Sequence, residues 1–211
     1  MVGKGVLLEC LDSEFIEHIL IINRRSIGLD HPKLKELLVS DFFNLDDIKP
    51  EFGGFDACFF CLGTSSIGKS EKEYAKITYD LTINFAETFL RQNKDSNFCY
   101  VSGAGTDSTE KGRFMWARVK GRTENKLLSM SFKSAFMFRP GYIQPLRGIK
   151  SSTNWYSIIF YAVFSPVYLV LKHFPSTATN TVNMGKAMIR VMLGAPDINI
   201  LENKQINLLA T

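Results

Sequence analysis

The chain has no block of like charge. Its 25 basic and 21 acidic residues leave a net charge of only +4, and the basic ones are scattered. Composition therefore gives no support to a nucleic-acid-binding or anionic-membrane surface. Cysteine is scarce as well. Cys10, Cys58, Cys61 and Cys99 do not make a secreted disulfide framework in 211 residues. Cys58 and Cys61 have C-x-x-C spacing, but no second pair at zinc spacing accompanies them. They lie in DACFFCLG, residues 56–63, which reads as a buried strand. Residues three apart on a strand point to opposite faces, so both thiols are expected to be separate, apolar and free. No signal peptide opens the chain, and a reducing cytoplasm is the expected setting. Repeats, low-complexity tracts and domain linkers are absent. A chain of this length can bury roughly 70% of the surface it exposes when unfolded, so one domain over 1–211 is expected.

Long apolar runs are also few. Residues 155–171 carry no charge, and Trp155, Tyr156, Tyr161 and Tyr168 suit a membrane interface. The run is shorter than the roughly 20 residues of a membrane span, and Ser165-Pro166 interrupts it. A core or lid-forming helix pair is the expected role. Contact with a membrane surface is the alternative.

What the chain does have is alternation. Helical apolar spacing over 6–11 is followed by short apolar runs at 18–23, 37–43 and 57–62 that read as strands. A long amphipathic helix is expected over 73–92, with Tyr74, Ile77, Leu81, Phe85, Thr88 and Phe89 on one stripe. Then come a strand at 98–102, a helix at 113–130 and a strand at 135–138. Beyond Asn154 the pattern is helical apart from a short strand at 199–201. Strands alternating with helices predict βαβ units and an α/β fold, a doubly wound parallel sheet with helices on both faces. The nearly continuous apolar strands agree with a sheet covered on both sides.

The most informative stretch is Trp116-Ala117-Arg118-Val119-Lys120. Residues four apart share one face of a helix. This is the spacing of the Tyr-x-x-x-Lys pair of short-chain dehydrogenases, in which an ammonium lowers the pKa of a phenol. Here an indole takes the phenol's place, and indole offers a donor N–H with no useful acid–base equilibrium.

The stretches MVGKGVLLECLDS, LIINRRS, SDFFNL, CFFCLGTS, YVSGAGTDS, MWARVKGRTEN and FRPGYIQP run in order along nearly the whole chain. Together they resemble an atypical, extended short-chain dehydrogenase/reductase of the NAD-dependent epimerase/dehydratase group. More narrowly, they are similar to bacterial relatives of the Tat-interacting oxidoreductase family. The resemblance implies a Rossmann-like fold. It also implies an opening apolar strand and a Thr-Gly-Ala-Thr-Gly type of turn, both missing here, so the first strand of the sheet is expected to be absent and a start upstream of Met1 is the expected explanation. That strand would be central, and losing it exposes two strand edges. Self-association is left open, and dinucleotide binding is expected to be weak or lost in this form.

Site residues follow from the same resemblance. Gly3 would be the last glycine of the opening turn, with a flexible terminal glycine as the ordinary alternative. Arg24 and Arg25 stand where an acid would hold a ribose 2′-OH, and two guanidiniums there imply NADP rather than NAD, a solvated basic turn being the alternative. Asp41 and Phe42 would meet the adenine, or Asp41 would simply cap a loop. Leu62, Gly63 and Thr64 would let the cofactor approach, and Pro140 and Gly141 would lie beside the nicotinamide. Ser102 would hydrogen-bond a substrate oxygen, and Lys120 would hold the nicotinamide ribose. Trp116 would stack on a ring or fill the pocket. Tyr100, Tyr142, His31 and His173 are weak candidates for a replacement proton donor. The expected function is that of an NADP-binding oxidoreductase-like protein acting on an unidentified carbonyl or alcohol. A catalytically inactive nucleotide-sensing or protein-interaction module of the same fold is the alternative. Residues 142–211 are expected to form the substrate-side helices.

Overall fold

The protein was analysed as a computed structural model that describes residues 1–149, 176–194 and 196–211. In chain order, helix α1 (Val2–Asp12) precedes strands β1 (Ile19–Asn23) and β2 (Leu34–Leu38), a 3-10 segment (Asp46–Phe52) and β3 (Ala57–Phe60). Helices α2 (Glu71–Ala75) and α3 (Leu81–Gln92) follow, joined by a π-helical turn (Lys76–Asp80). Then come β4 (Asn97–Val101), α4 (Met115–Leu128), β5 (Ser134–Arg139), β6 (Tyr142–Gln144), β7 (Ala178–Asn180), α5 (Thr181–Leu193), β8 (Ile200–Glu202) and α6 (Asn203–Leu209).

Every strand pairing among the described residues is parallel. Four strands form one sheet in the order β3-β4-β5-β8, while β1 and β2 pair only with each other. The order β2-β1, an interruption, then β3-β4-β5-β8 is that of a doubly wound sheet with its central strand absent. The expected fold class, parallel strands covered by helices on both sides, is thus observed.

The pleat explains how the sheet is covered. On β4 and β5, Phe98, Tyr100, Ala135 and Met137 face one core, which holds Phe85, Phe89 and Leu127 from α3 and α4. Cys99, Phe136 and Phe138, the alternate residues, face a second core with Val6 and Cys10 of α1 and Met184 and Met188 of α5. Phe98, Phe136, Met137 and Phe138 are almost wholly buried. Each such side chain contributes about 1.5–3 kcal/mol when taken from water. Cys58 packs with the first core and Cys61 with the second. The two thiols are free and on opposite faces, as the strand reading predicts.

Three expectations need correction. The second strand is Leu34–Leu38 rather than 37–43, because β2 pairs along β1 over those residues, with Lys35 and Leu38 exposed. The apolar residues that suggested 37–43, Val39 and Phe42, are buried from the loop after it. The helix over 73–92 starts earlier, at a capping box in which Ser70 and Glu73 each hold the other's backbone N–H. It also contains a π turn, which puts Thr78 rather than Ile77 among the buried residues. Helix α5 covers the sheet beside α1. The β6–β7 pair was not expected at all. The apolar run 155–171 and His173 lie outside the described residues. Among the described residues no helix is long and apolar enough to cross a membrane.

Candidate functional site at the carboxyl edge of the sheet

Parallel strands bring all their C-terminal ends to one edge, which is where ligands bind in open α/β sheets. The residues expected to act do lie at such ends, but the structure sorts them into two groups.

The first group surrounds a cavity of about 1390 Å³ that opens between β1 and β3. Gly3, Arg24, Arg25, Phe42 and Leu62 all line it, from four separate stretches of chain. Gly3 packs against Cys61, where an added Cβ would come within 3.3 Å of the Cys61 Cβ. Helix α1 has no side-chain cap at its start, so its first N–H groups at this edge are free of side-chain partners. Arg24 and Arg25 are exposed, and neither is in an ion pair among the described residues. Their turn is tied down by Glu36 on β2. That carboxylate accepts from the Asn23 side chain at 3.0 Å, the Ser26 hydroxyl at 2.5 Å and the Ile27 N–H at 3.1 Å. These bonds hold the Glu36 carboxyl below its usual range, the Ser26 hydroxyl contributing most. Glu36 was not singled out from the sequence, though an acid on the strand next to the Arg pair is a readable signal.

Phe42 is a core residue, 8% exposed, packed with Leu45, Phe52 and Phe85. Asp41 is exposed and accepts the Phe43 N–H at 2.9 Å in a local turn. Gly63 is exposed and Thr64 half-buried on the loop that leaves β3.

The second group gathers at the ends of β4 and β5. Lys120 donates to the Ser102 carbonyl and lies against Gly103, where a Cβ would meet its Nζ at 3.4 Å. Burial lowers the Lys120 pKa below the usual lysine value, partly offset by Glu124. Gly103 also approaches the Pro140 carbonyl, and Ala104 donates its N–H to that oxygen at 2.8 Å. Gly141 donates its N–H to Asn203 at 2.8 Å, and a side chain at 141 would strike the Thr177 carbonyl at 2.4 Å. The Trp116 ring covers the turn at Gly105, within 3.3 Å of where a Cβ would sit. That glycine has φ +82°, a conformation side chains rarely adopt.

Ser102 departs from expectation. Its side chain is buried and turned into the protein, where its hydroxyl donates to Glu124. Glu124 is fully buried and also takes the Arg139 guanidinium, whose Nε lies 3.1 Å from both carboxylate oxygens. Arg139 further donates to Ser108 at 2.5 Å and reaches Glu202 at 3.3 Å. A hydroxyl has one proton to give, and both acceptors it meets, the Glu124 carboxylate and the Phe138 carbonyl at 3.1 Å, lie inside the protein. In this arrangement Ser102 fastens β4 to α4 and does not face a substrate oxygen. Tyr100 fills the core beside Tyr74, and burial raises its pKa well above the usual phenol value. It is excluded as a proton donor in this arrangement. The Tyr142 hydroxyl donates to Gln144 at 2.7 Å. His31 accepts the Lys33 N–H in the turn before β2.

With this geometry in view, the chain can be compared with known proteins. It is 26% identical over 208 residues to protein HTATIP2 of the rat, Rattus norvegicus, a match covering 97% of this chain and 83% of that one. No family model matches the chain. Among solved structures, a putative NAD-dependent epimerase/dehydratase from Bacillus halodurans superposes with a TM-score of 0.64 at 13% identity, over 99% of this chain and 94% of that one. The Bordetella bronchiseptica enzyme WbmG, solved in complex with NAD, gives a TM-score of 0.67 at 10% identity, over 99% of this chain and 74% of that one. The chain therefore shares the Rossmann-like fold of these structures.

Proposed function

We propose that this chain binds NADP along the carboxyl edge of its sheet and serves an oxidoreductase reaction on a carbonyl or alcohol. The observation that carries the reading is the convergence of Gly3, Arg24, Arg25, Phe42 and Leu62 on one cavity. The residues present fit the dinucleotide. Two unpaired guanidiniums on a turn pre-ordered by Glu36 suit a 2′-phosphate, which accepts bidentate N–H bonds. The free N–H groups opening α1 suit a pyrophosphate. At the ends of β4 and β5, the Lys120 ammonium is held at the Ser102 carbonyl beside Gly103, and an ammonium there suits a ribose hydroxyl. When bound, NADP supplies the hydride.

The chain's own residues supply position and shape. Lys120 and the Gly103–Gly105 turn present a narrow, glycine-lined shelf beneath the Trp116 ring. No phenol of the described residues takes the proton-donor place at the shelf, so proton transfer falls to water or the substrate itself. The alternative, an inactive module of the same fold, rests on Trp116 at the acid's position and on the engagement of Ser102 by Glu124.

NADPH titration by fluorescence is the direct test. Binding that weakens at least about tenfold in Arg24→Ala/Arg25→Ala, with NADH affinity unchanged, is the expected result. Equal affinities for NADPH and NADH in the parent chain would refute the NADP assignment. A Trp116→Tyr variant that gains carbonyl reductase activity would show that only the acid is missing. NADPH binding without any such gain would establish the inactive module.

A further inference from the structure

The turn that carries Arg24 and Arg25 stands on a carboxylate. Strand register sets Glu36 of β2 opposite Ile21 of β1, and β1 ends shortly afterwards at Asn23. The chain then passes through both arginines and folds back. Asn23 reaches the Glu36 side chain from before the arginines, and Ser26 and Ile27 reach it from after them. One carboxylate oxygen accepts from the Asn23 amide and the Ile27 N–H, and the other accepts from the Ser26 hydroxyl. The Ser26 oxygen in turn accepts the Gly28 N–H at 3.1 Å, and Gly28 leads the chain away at φ +63°. Both feet of the two-arginine apex are therefore fixed to one side chain.

An acid on the strand beside two arginines would ordinarily pair with one of them. Here three uncharged donors take its oxygens, and Glu36 is in no ion pair among the described residues. Both arginines stay exposed and line the cavity. The same bonds decide what Ser26 can do. Its single proton goes to Glu36 at 2.5 Å, so it cannot donate to a phosphate unless the turn comes loose. Glu36 acts on an anion at the arginines in two opposed ways. Its negative charge repels the anion, but water and salt screen repulsion between exposed groups. Its hydrogen bonds hold the turn in one conformation, which removes an ordering cost that binding would otherwise meet. Solvent does not weaken that second effect in the same way, so ordering prevails over repulsion.

We propose that Glu36 sets the preference for a 2′-phosphate at this turn, as a positioning residue that touches no ligand, and that Ser26 serves Glu36 rather than the phosphate. This role rests on the dinucleotide reading above. It assigns selectivity to an acid that carries the same sign of charge as the group it helps to bind.

Calorimetric titration with adenosine 2′,5′-bisphosphate and adenosine 5′-monophosphate tests this without a nicotinamide or a substrate. Glu36→Ala should weaken the bisphosphate at least about tenfold and leave the monophosphate unchanged. Glu36→Gln keeps one acceptor oxygen without the charge, so it should lose less than Glu36→Ala. Ser26→Ala should also weaken the bisphosphate, and Glu36→Ala/Ser26→Ala should lose no more than Glu36→Ala alone, because both changes break one network. Hydrogen exchange without nucleotide should show faster exchange at Ile27 and Gly28 in Glu36→Ala, with Tm unchanged. Tighter bisphosphate binding in Glu36→Ala and Glu36→Gln would overturn the proposal in favour of repulsion. Losses that add in the double variant would place Ser26 on the phosphate itself. Equal weakening of both nucleotides, or unaltered exchange at Ile27 and Gly28, would also overturn it. A parent chain that prefers the bisphosphate as strongly as Glu36→Ala does refutes the role of Glu36 alone. A parent chain with no such preference refutes the NADP reading, and the role of Glu36 falls with it.

Discussion

Glu124 carries more structural responsibility than any residue the spacing of the sequence brings forward. It lies 22 residues from Ser102 and 15 from Arg139, yet it binds both in the protein interior. Removing one partner of a buried ion pair strands the other charge, which typically costs about 3–5 kcal/mol. Glu124→Leu should lose about that much unfolding free energy in urea. Glu124→Leu/Arg139→Met should recover most of it, since a well-packed apolar pair replaces a buried ionic one at little cost. A loss under about 1 kcal/mol for the single variant would show that water already reaches the pair. The same network explains why Ser102 could not be judged from its place at a strand end. A serine there either faces a ligand or turns inward, and only the buried acid four residues beyond Lys120 decides between them.

The layer formed by α1 and α5 depends on two glycines. A Cβ at Gly5 would sit 2.5 Å from the Thr181 Cβ and 3.0 Å from its backbone oxygen. One at Gly185 would sit 2.6 Å from Glu9 and 3.2 Å from the Val6 Cα. Gly5→Ala should therefore destabilise by about 1–3 kcal/mol through overpacking, even though alanine is the better helix former by about 1 kcal/mol. Gly53→Ala is the matched control. Nothing lies within 4 Å of that position and its φ is −74°, so the change should be neutral or slightly stabilising. Thermal unfolding of the two variants separates close packing from a general effect of glycine loss; equal shifts would contradict the packing argument. Neither crossing could be read from the sequence, because glycine in a helix marks a close approach only once its neighbour is known. The helices themselves were legible, since their stripes repeat locally. The π turn at Lys76–Asp80 was not, because one extra residue in a turn leaves composition unchanged while rotating everything after it.

For the molecule as a whole, the buried thiols set a pH limit. Burial raises the Cys10 thiol to about 12 and Cys99 well above its usual value, and Cys58 and Cys61 also rise. In the unfolded chain these groups ionise near pH 9, while in the folded protein they stay protonated. Their contribution is fully present below that pH and is lost as pH rises toward the folded values. Lys120 acts in the opposite sense, because its lowered pKa makes the unfolded chain the better proton acceptor just below the usual lysine range. Four thiols outweigh one ammonium, so unfolding free energy should fall from about pH 9 upward, each thiol contributing up to about 1.4 kcal/mol per pH unit. Urea unfolding between pH 7 and 10.5 measures this, and Cys10→Ala and Cys99→Ala should each flatten the alkaline slope. An unchanged slope in both would assign it elsewhere.

Local spacing was enough to determine the α/β class, the strands β1, β3, β4, β5 and β8, the covered helices and the separation of Cys58 from Cys61, because periods of two and of about 3.6 residues are written into neighbouring positions. Three-dimensional packing alone decided which way Ser102 turns, that Glu36 orders the Arg24–Arg25 turn, that β2 begins at Leu34, and that Gly3, Arg24, Arg25, Phe42 and Leu62 line one cavity between β1 and β3. Those outcomes depend on partners far apart in the chain, and a buried polar group or an unpaired strand edge is satisfied by whatever the fold brings beside it.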